Sequence, residues 1–118
     1  MSIRLKRAYD PPGEDDGYRV LIDRIWPRGV GREAARLDVW LKEIAPSDEL
    51  RKWFGHDPNK WKEFKNRYFQ ELDERPEVVE ELMKAAIKHS VTLVFAAKDR
   101  EFNNAVALEE YLKERMKE

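Results

Sequence analysis

The chain contains no cysteine. That excludes disulfides, a thiolate-ligated zinc site and a cysteine nucleophile, and it fits a reducing compartment. No apolar run approaches the roughly 20 residues that span a bilayer. The first residues, MSIRLKR, lack the apolar core of an export signal. A cytoplasmic protein with no membrane contact is expected. An excess of one charge is also missing: 23 basic and 24 acidic side chains leave a formal net charge of −1. Binding a nucleic-acid backbone would require a local basic patch.

Signatures of common chemistries are missing too. There is no glycine-rich phosphate loop, no G-x-G-x-x-G after a strand, no G-x-S-x-G and no H-E-x-x-H. No Lys/Arg-rich tract, helix-turn-helix pair, internal repeat or low-complexity segment occurs. The two histidines, His56 and His89, have no metal-ligand spacing, so no metal site is expected. No cofactor is indicated. Glutamine occurs once, at Gln70, in a chain that is 40% Asp, Glu, Lys and Arg, a composition resembling a thermophile's surface.

What is present suffices for one domain, residues 1–118, with its own core. Alternation of Ile3 and Leu5 with Arg4 and Lys6 predicts a strand over 3–7. Pro11, Pro12, Gly13 and Gly17 predict a loop over 8–17. A second strand is expected from Tyr18 to Ile25, with consecutive Val20, Leu21 and Ile22 suiting a sheet covered by helices on both faces. Pro27 puts a turn at 26–31, and Arg32–Arg36 fits one helical turn. Alternating Leu37, Val39 and Leu41 favour a third strand over 37–44, ended by Pro46. Ser47 is a candidate N-cap for a helix over 48–54, stopped by Gly55. Asp57-Pro58 is the clearest helix start, followed by a stripe of Trp61, Phe64, Tyr68 and Leu72. Pro76 opens a helix reaching His89. Val91–Ala96 reads as a central parallel strand, and Asp99 as the cap of a last helix from Glu101 to about Lys117. The sum is an α/β domain of about four strands, at least partly parallel, packed with about four helices in two or three layers. The direction of the first strand relative to the second stays open.

Ligands of open α/β sheets bind beyond the carboxyl ends of the strands. Applied here, that rule gathers Asp23, Arg24, Trp26, Arg28, Gly29, Lys42, Lys98 and Asp99 at one edge. Guanidinium groups fork onto phosphate or carboxylate oxygens. A helix N-terminus adds free N–H groups. Gly29 and Gly31 would let the backbone approach a ligand. Asp23 and Arg24 read equally as a structural pair, and Asp99 reads as a cap before it reads as a catalyst. His56, in the turn of WFGHDP, is a candidate proton-transfer group beside Asp99, or else only a partner of the helix start. Trp53, Trp61, Phe64, Tyr68 and Phe69 read as core. His89 reads as a helix-end residue without a role.

The words KRAYDPPGEDDGYRVLIDRIWPRGV, LKEIAPS, ELRKWFGHDPNKW, RYFQEL and VTLVFAAKD cover nearly the whole chain. Together they closely resemble the YeaO-like family of small bacterial and archaeal proteins. The resemblance implies a small α/β domain and supplies no catalytic roles. Three functions follow from the residues themselves. The first is a protein that binds a small anionic ligand, phosphate-bearing or nucleotide-like, with or without hydrolase or transferase activity. The second is a nucleic-acid-binding or regulatory module whose basic stripe extends through Arg4, Lys6 and Arg7. The third is a structural or interaction protein with no ligand. A homodimer is the default assembly.

Overall fold

A computed structural model describes residues 2–117. Four strands form one sheet: β1 (Ile3–Arg7), β2 (Tyr18–Leu21), β3 (Val39–Trp40) and β4 (Val91–Phe95). Their order is β1-β4-β2-β3, and every neighbouring pair is parallel. The sequence explains this order. All five residues of β4 are buried, and so are Arg19, Val20 and Leu21 of β2, which suits central positions. β1 alternates half-buried Ile3 and Leu5 with exposed Arg4, which suits an edge. The direction of β1, open in the sequence, is thus parallel. β4 lies between β1 and β2, and a connection without an α-helix returns the chain across the sheet.

The helices are α1 (Arg32–Ala35), α2 (Asp48–Phe54), α3 (Trp61–Asp73), α4 (Pro76–Lys88) and α5 (Asn104–Met116). The main core lies on the sheet face that presents Val20, Ile22, Val91, Leu93 and Phe95, packed with Phe54, Tyr68, Leu82, Leu108 and Leu112 from α2 to α5. The other face carries Arg19 and Thr92. These bond not to a layer of long helices but to two short turns: Arg19 donates to the carbonyl of Ala35, the last residue of the one-turn α1, and the Thr92 hydroxyl donates to the carbonyl of Asp16, at the end of a 3₁₀ turn. The expected helical cover on both faces is therefore half right.

Local signals placed several boundaries well. The Ser47 hydroxyl accepts from Leu50 N–H at 3.1 Å, and Gly55 ends α2 in the left-handed region at φ +52°. Asp57 accepts from Asn59 N–H and starts one 3₁₀ turn, Pro58–Lys60, that runs into α3. Phe64, Tyr68 and Leu72 form the buried stripe of α3.

Three boundaries differ. β2 stops at Leu21 rather than Ile25, because the ladder beyond Ile22 changes partners. A continued parallel ladder would bring Ala96 N–H to the Ile22 carbonyl. Instead Ala96 N–H donates to the Asp23 carboxylate at 2.9 Å, and Asn104 Nδ2 reaches the Ile22 carbonyl. β3 is only two residues, since Lys42–Ile44 turns inward as a 3₁₀ segment that buries Ile44. The last helix starts at Asn104, capped by the Asn103 side chain on Val106 N–H, not by Asp99. Asp99 accepts instead from Glu101 and Phe102 N–H, folding the approach to α5.

Candidate functional site

All four strands point their carboxyl ends the same way, and a cleft of about 690 Å³ opens beyond β2 and β4. Its walls come from the chain after β2, from Ala45-Pro46, from α2 and the turn behind it, and from the β4–α5 connection. Of the side chains expected at this edge, Asp23, Arg24, Trp26, Arg28, His56, Lys98 and Asp99 all line it. Lys42 and Gly29 do not. The Lys42 ammonium lies 4.2 Å from the centroid of the Trp40 ring. Gly29 sits at φ +80° with open space around it, so its need is conformational and not close approach of a ligand. Gly31 does not line the cleft and precedes α1 in extended geometry.

Asp23 is the most structured element of the cleft. One carboxylate oxygen accepts from Ala96 N–H at 2.9 Å and the other from Asn104 Nδ2 at 2.9 Å. Burial pushes its pKa above the ordinary carboxylate value. The two hydrogen bonds and the positive charge of Arg51 oppose that shift without cancelling it. Asp23 and Arg24 are not the structural pair the sequence allowed. Arg24 Nη2 donates to the Ala45 carbonyl at 3.2 Å, while its Nε is buried without a hydrogen-bond partner among the described residues. A buried unpaired donor costs about 1–3 kcal/mol, so it calls for a reason.

The mouth is cationic. Arg28 and Lys98 are exposed, and among the described residues neither side chain makes a hydrogen bond or ion pair. The Arg28 backbone is held where its carbonyl accepts from Tyr9 Oη at 2.9 Å. Among the described residues, the Arg51 side chain makes only a long, exposed contact with Asp48 at 3.4 Å. Trp26 is fixed rather than free: Nε1 donates to the Val30 carbonyl, Trp40 meets it edge-on, and Arg32 lies over its ring. His56 stands exposed at φ +57°, directly after left-handed Gly55. Two successive left-handed residues are unusual outside glycine, and such strain gathers at functional turns. Asp99 sits across the cleft. The N–H groups of Phe102 and Glu101 hold its pKa below the ordinary value, and the His56 charge adds to the effect.

Sequence reasoning missed Arg51, Phe102 and Asn104. The polar doublet Asn103-Asn104 after an apolar strand was a legible helix-cap signal, although Asp99 drew it first. Arg51 carried no signal, because one more cation in a helix of mixed charge does not reveal which way it faces. Among the described residues, no group of three His, Asp or Glu side chains converges in a way that would hold a metal ion.

The sequence model of one family, described as the inactive DUF488-N3 subclade, matches residues 2–118. The chain belongs to this family. Among similar proteins, "Uncharacterized protein YeaO" of Escherichia coli is 41% identical over 113 residues, covering 96% of this chain and 98% of its own. "Uncharacterized protein Rv3073c" of Mycobacterium tuberculosis and "Uncharacterized protein Mb3100c" of Mycobacterium bovis are each 39% identical over 110 residues, covering 93% of this chain and 92% of theirs. The YeaO-like resemblance of the sequence words is therefore correct across the chain. No solved structure matches. In this DUF488-N3 chain parts of two of those words, DRIWPR of the first and KD of the last, meet at the cleft from distant parts of the sequence.

Proposed function

We infer that this DUF488-N3 protein binds a small anionic, phosphate-bearing molecule in the cleft and holds it without turning it over. One observation carries the reading: two unpaired cations, Arg28 and Lys98, stand with Arg51 at the mouth of a concave cleft, in a chain whose charges otherwise nearly cancel. The cleft volume lies within the 300–1,000 Å³ usual for small-molecule sites. Arg24 adds a third guanidinium to its wall, and the N-terminus of α5, a 13-residue helix, faces the same space.

Binding without turnover is favoured over a hydrolase or transferase by two points. The family is described as inactive. Among the described residues, no Ser, Thr or Tyr side chain lines the cleft as a nucleophile. His56 and Asp99 remain the groups that would move a proton if a reaction occurred. The nucleic-acid reading is weakened by shape and by engagement. The cleft is concave, and two members of the supposed stripe are occupied: Lys6 pairs with Asp16, and Arg7 donates to the Ala96 and Ala97 carbonyls.

The test is a thermal-shift screen of phosphate, sugar phosphates and nucleotides on the wild type and on Arg28→Ala. A ligand at 100 times its dissociation constant stabilises by about 2.7 kcal/mol. The reading expects an anion that shifts the wild type and shifts the variant much less. Equal shifts in both proteins, or none in either, would remove it.

A further inference from the structure

The cleft carries one inner carboxylate and four cations, of which Arg24 is half-buried in the wall and three are exposed. Deep in it stands a carboxylate, Asp23, placed by a strand ladder that ends on its side chain. Outside stand the cations Arg28, Arg51 and Lys98, all exposed. Between them the walls are largely apolar: Pro46, Phe54, Phe64 and Phe102 line the cleft, with Ile25 at 59% exposure. An exposed isoleucine of that extent bordering a cleft gives a flat ring somewhere to rest.

Each level accepts a different chemistry. A phosphate cannot sit against Asp23, because like charges at contact distance repel; it belongs at the mouth. Asp23 accepts one protein hydrogen bond on each oxygen, and an ionised carboxylate has about four acceptor positions. What remains open are acceptor positions on two neighbouring oxygens, which suit two adjacent hydroxyl donors. The apolar wall takes neither phosphate nor hydroxyl and suits a planar ring.

We propose that the cleft binds a ribonucleoside 5′-monophosphate, with the ribose hydroxyls on Asp23, the base against Ile25 and Phe102, and the phosphate among Arg28, Arg51 and Lys98. This rests on the anion-binding reading and specifies its ligand. The opposite placement of carboxylate and cations gives the ligand one orientation. It also separates a nucleotide from a bare anion, which can use only the mouth.

The test is titration calorimetry on the full chain. The ligands are the four ribonucleoside 5′-monophosphates, the 2′,3′-dideoxy form of whichever binds tightest, ribose 5-phosphate and inorganic phosphate. A hydrogen bond to a charged group corresponds to roughly a tenfold to hundredfold change in affinity. The expected result is one ribonucleotide that binds at least tenfold more tightly than its dideoxy form and than ribose 5-phosphate. Asp23→Asn should then narrow the gap between the ribo and dideoxy forms. The comparison of ligands on the wild type needs no variant, so it stands even if Asp23→Asn folds poorly. Equal affinity of ribo and dideoxy forms overturns the role of Asp23. Equal affinity of ribose 5-phosphate and the nucleotide overturns the base site. Phosphate binding without nucleotide preference overturns this inference and leaves the anion reading standing. Tighter, salt-sensitive binding of a short single-stranded RNA overturns it in favour of a polymer. No binding by any ligand overturns both readings.

Discussion

Removing the Asp16 carboxylate should be among the most damaging single changes in the molecule, although Asp16 lies far from the cleft. Asp16 and Arg19 are 3% and 4% exposed. The Arg19 guanidinium donates to the Asp16 carboxylate at 2.6 Å and to the Ala35 carbonyl through two nitrogens. Lys6 and Gly13 N–H complete the set of donors on Asp16. Asp16→Ala leaves the Arg19 charge buried without a counter-charge. Breaking a buried pair from one side costs about 3–5 kcal/mol, against a total of about 5–15 kcal/mol for a domain. The urea midpoint, followed by circular dichroism, should fall by roughly a fifth or more, with the slope unchanged. Asp16→Ala with Arg19→Met removes both charges and should recover much of the loss, since apolar replacement of a buried pair is often neutral or better. The pH dependence has a definite sign. Burial pushes the Asp16 pKa up, but Gly13 N–H, Lys6 and Arg19 outweigh it, and the folded value lies below the ordinary one. Its contribution is therefore present above the unfolded value, near 4, and is lost as pH falls through the folded value. A cost under about 1 kcal/mol for Asp16→Ala, or a double variant no more stable than the single, would refute this reasoning. The consequence reaches the site, because this network pins the start of β2, and β2 delivers Asp23.

Gly17→Ala should also be severe. Gly17 has φ +66°, and a Cβ there would overlap the Ser90 carbonyl oxygen, which accepts the Tyr18 N–H. Strain plus a backbone clash predicts a loss of more than about 2 kcal/mol by urea unfolding; a loss under 0.5 would contradict it. Asp23→Asn replaces one of the two acceptors used by Ala96 N–H and Asn104 Nδ2 with a donor, so it should cost about 1–3 kcal/mol at pH 7. A raised carboxyl pKa means the folded state holds its proton longer, so wild-type stability falls as pH rises through the folded value, and a pH series should lose that slope in the variant. A variant with an unchanged slope would show that Asp23 is not the group responsible. His56→Gly should leave stability unchanged or raise it by up to about 1 kcal/mol, because His56 holds a left-handed φ of +57°. A marked loss would mean that the imidazole makes contacts that outweigh the strain.

What the sequence showed was what local physics decides. VTLVF had to be central, because four apolar residues and a β-branched threonine in one short run need cover on both sides. Ser47, Asp57-Pro58 and the stripe of α3 were legible because a cap and a helical period involve only near neighbours. The length of β3 was not legible. Leu37, Val39 and Leu41 alternate as a strand does, but Ile44 must reach the core, and the turn at Lys42 follows from that tertiary demand. Asp99 and Asn103 competed for one cap, and nothing within four residues decides between them. The cleft was half visible. Asp23 through Arg28 announced a site because charges followed a buried strand, yet adjacent Asp23 and Arg24 diverge to partners at 96, 104 and 45. No sequence window shows that Arg51 and Asp23 line one cleft. His89, given no role, stacks on Tyr18 at 5.2 Å at the opposite edge of the sheet.

The central claim is that the cleft holds an anion through its unpaired cations. Titration calorimetry of the best anion from the thermal screen tests it most directly, on the wild type, Arg28→Ala and Lys84→Ala. Lys84 is an exposed cation on α4 that, among the described residues, pairs only with Glu80, at 3.6 Å, so it controls for net charge. Loss of a guanidinium–phosphate contact should weaken binding by about tenfold or more in Arg28→Ala, with Lys84→Ala unchanged. Equal affinity in all three proteins, or equal weakening in both variants, would contradict the claim.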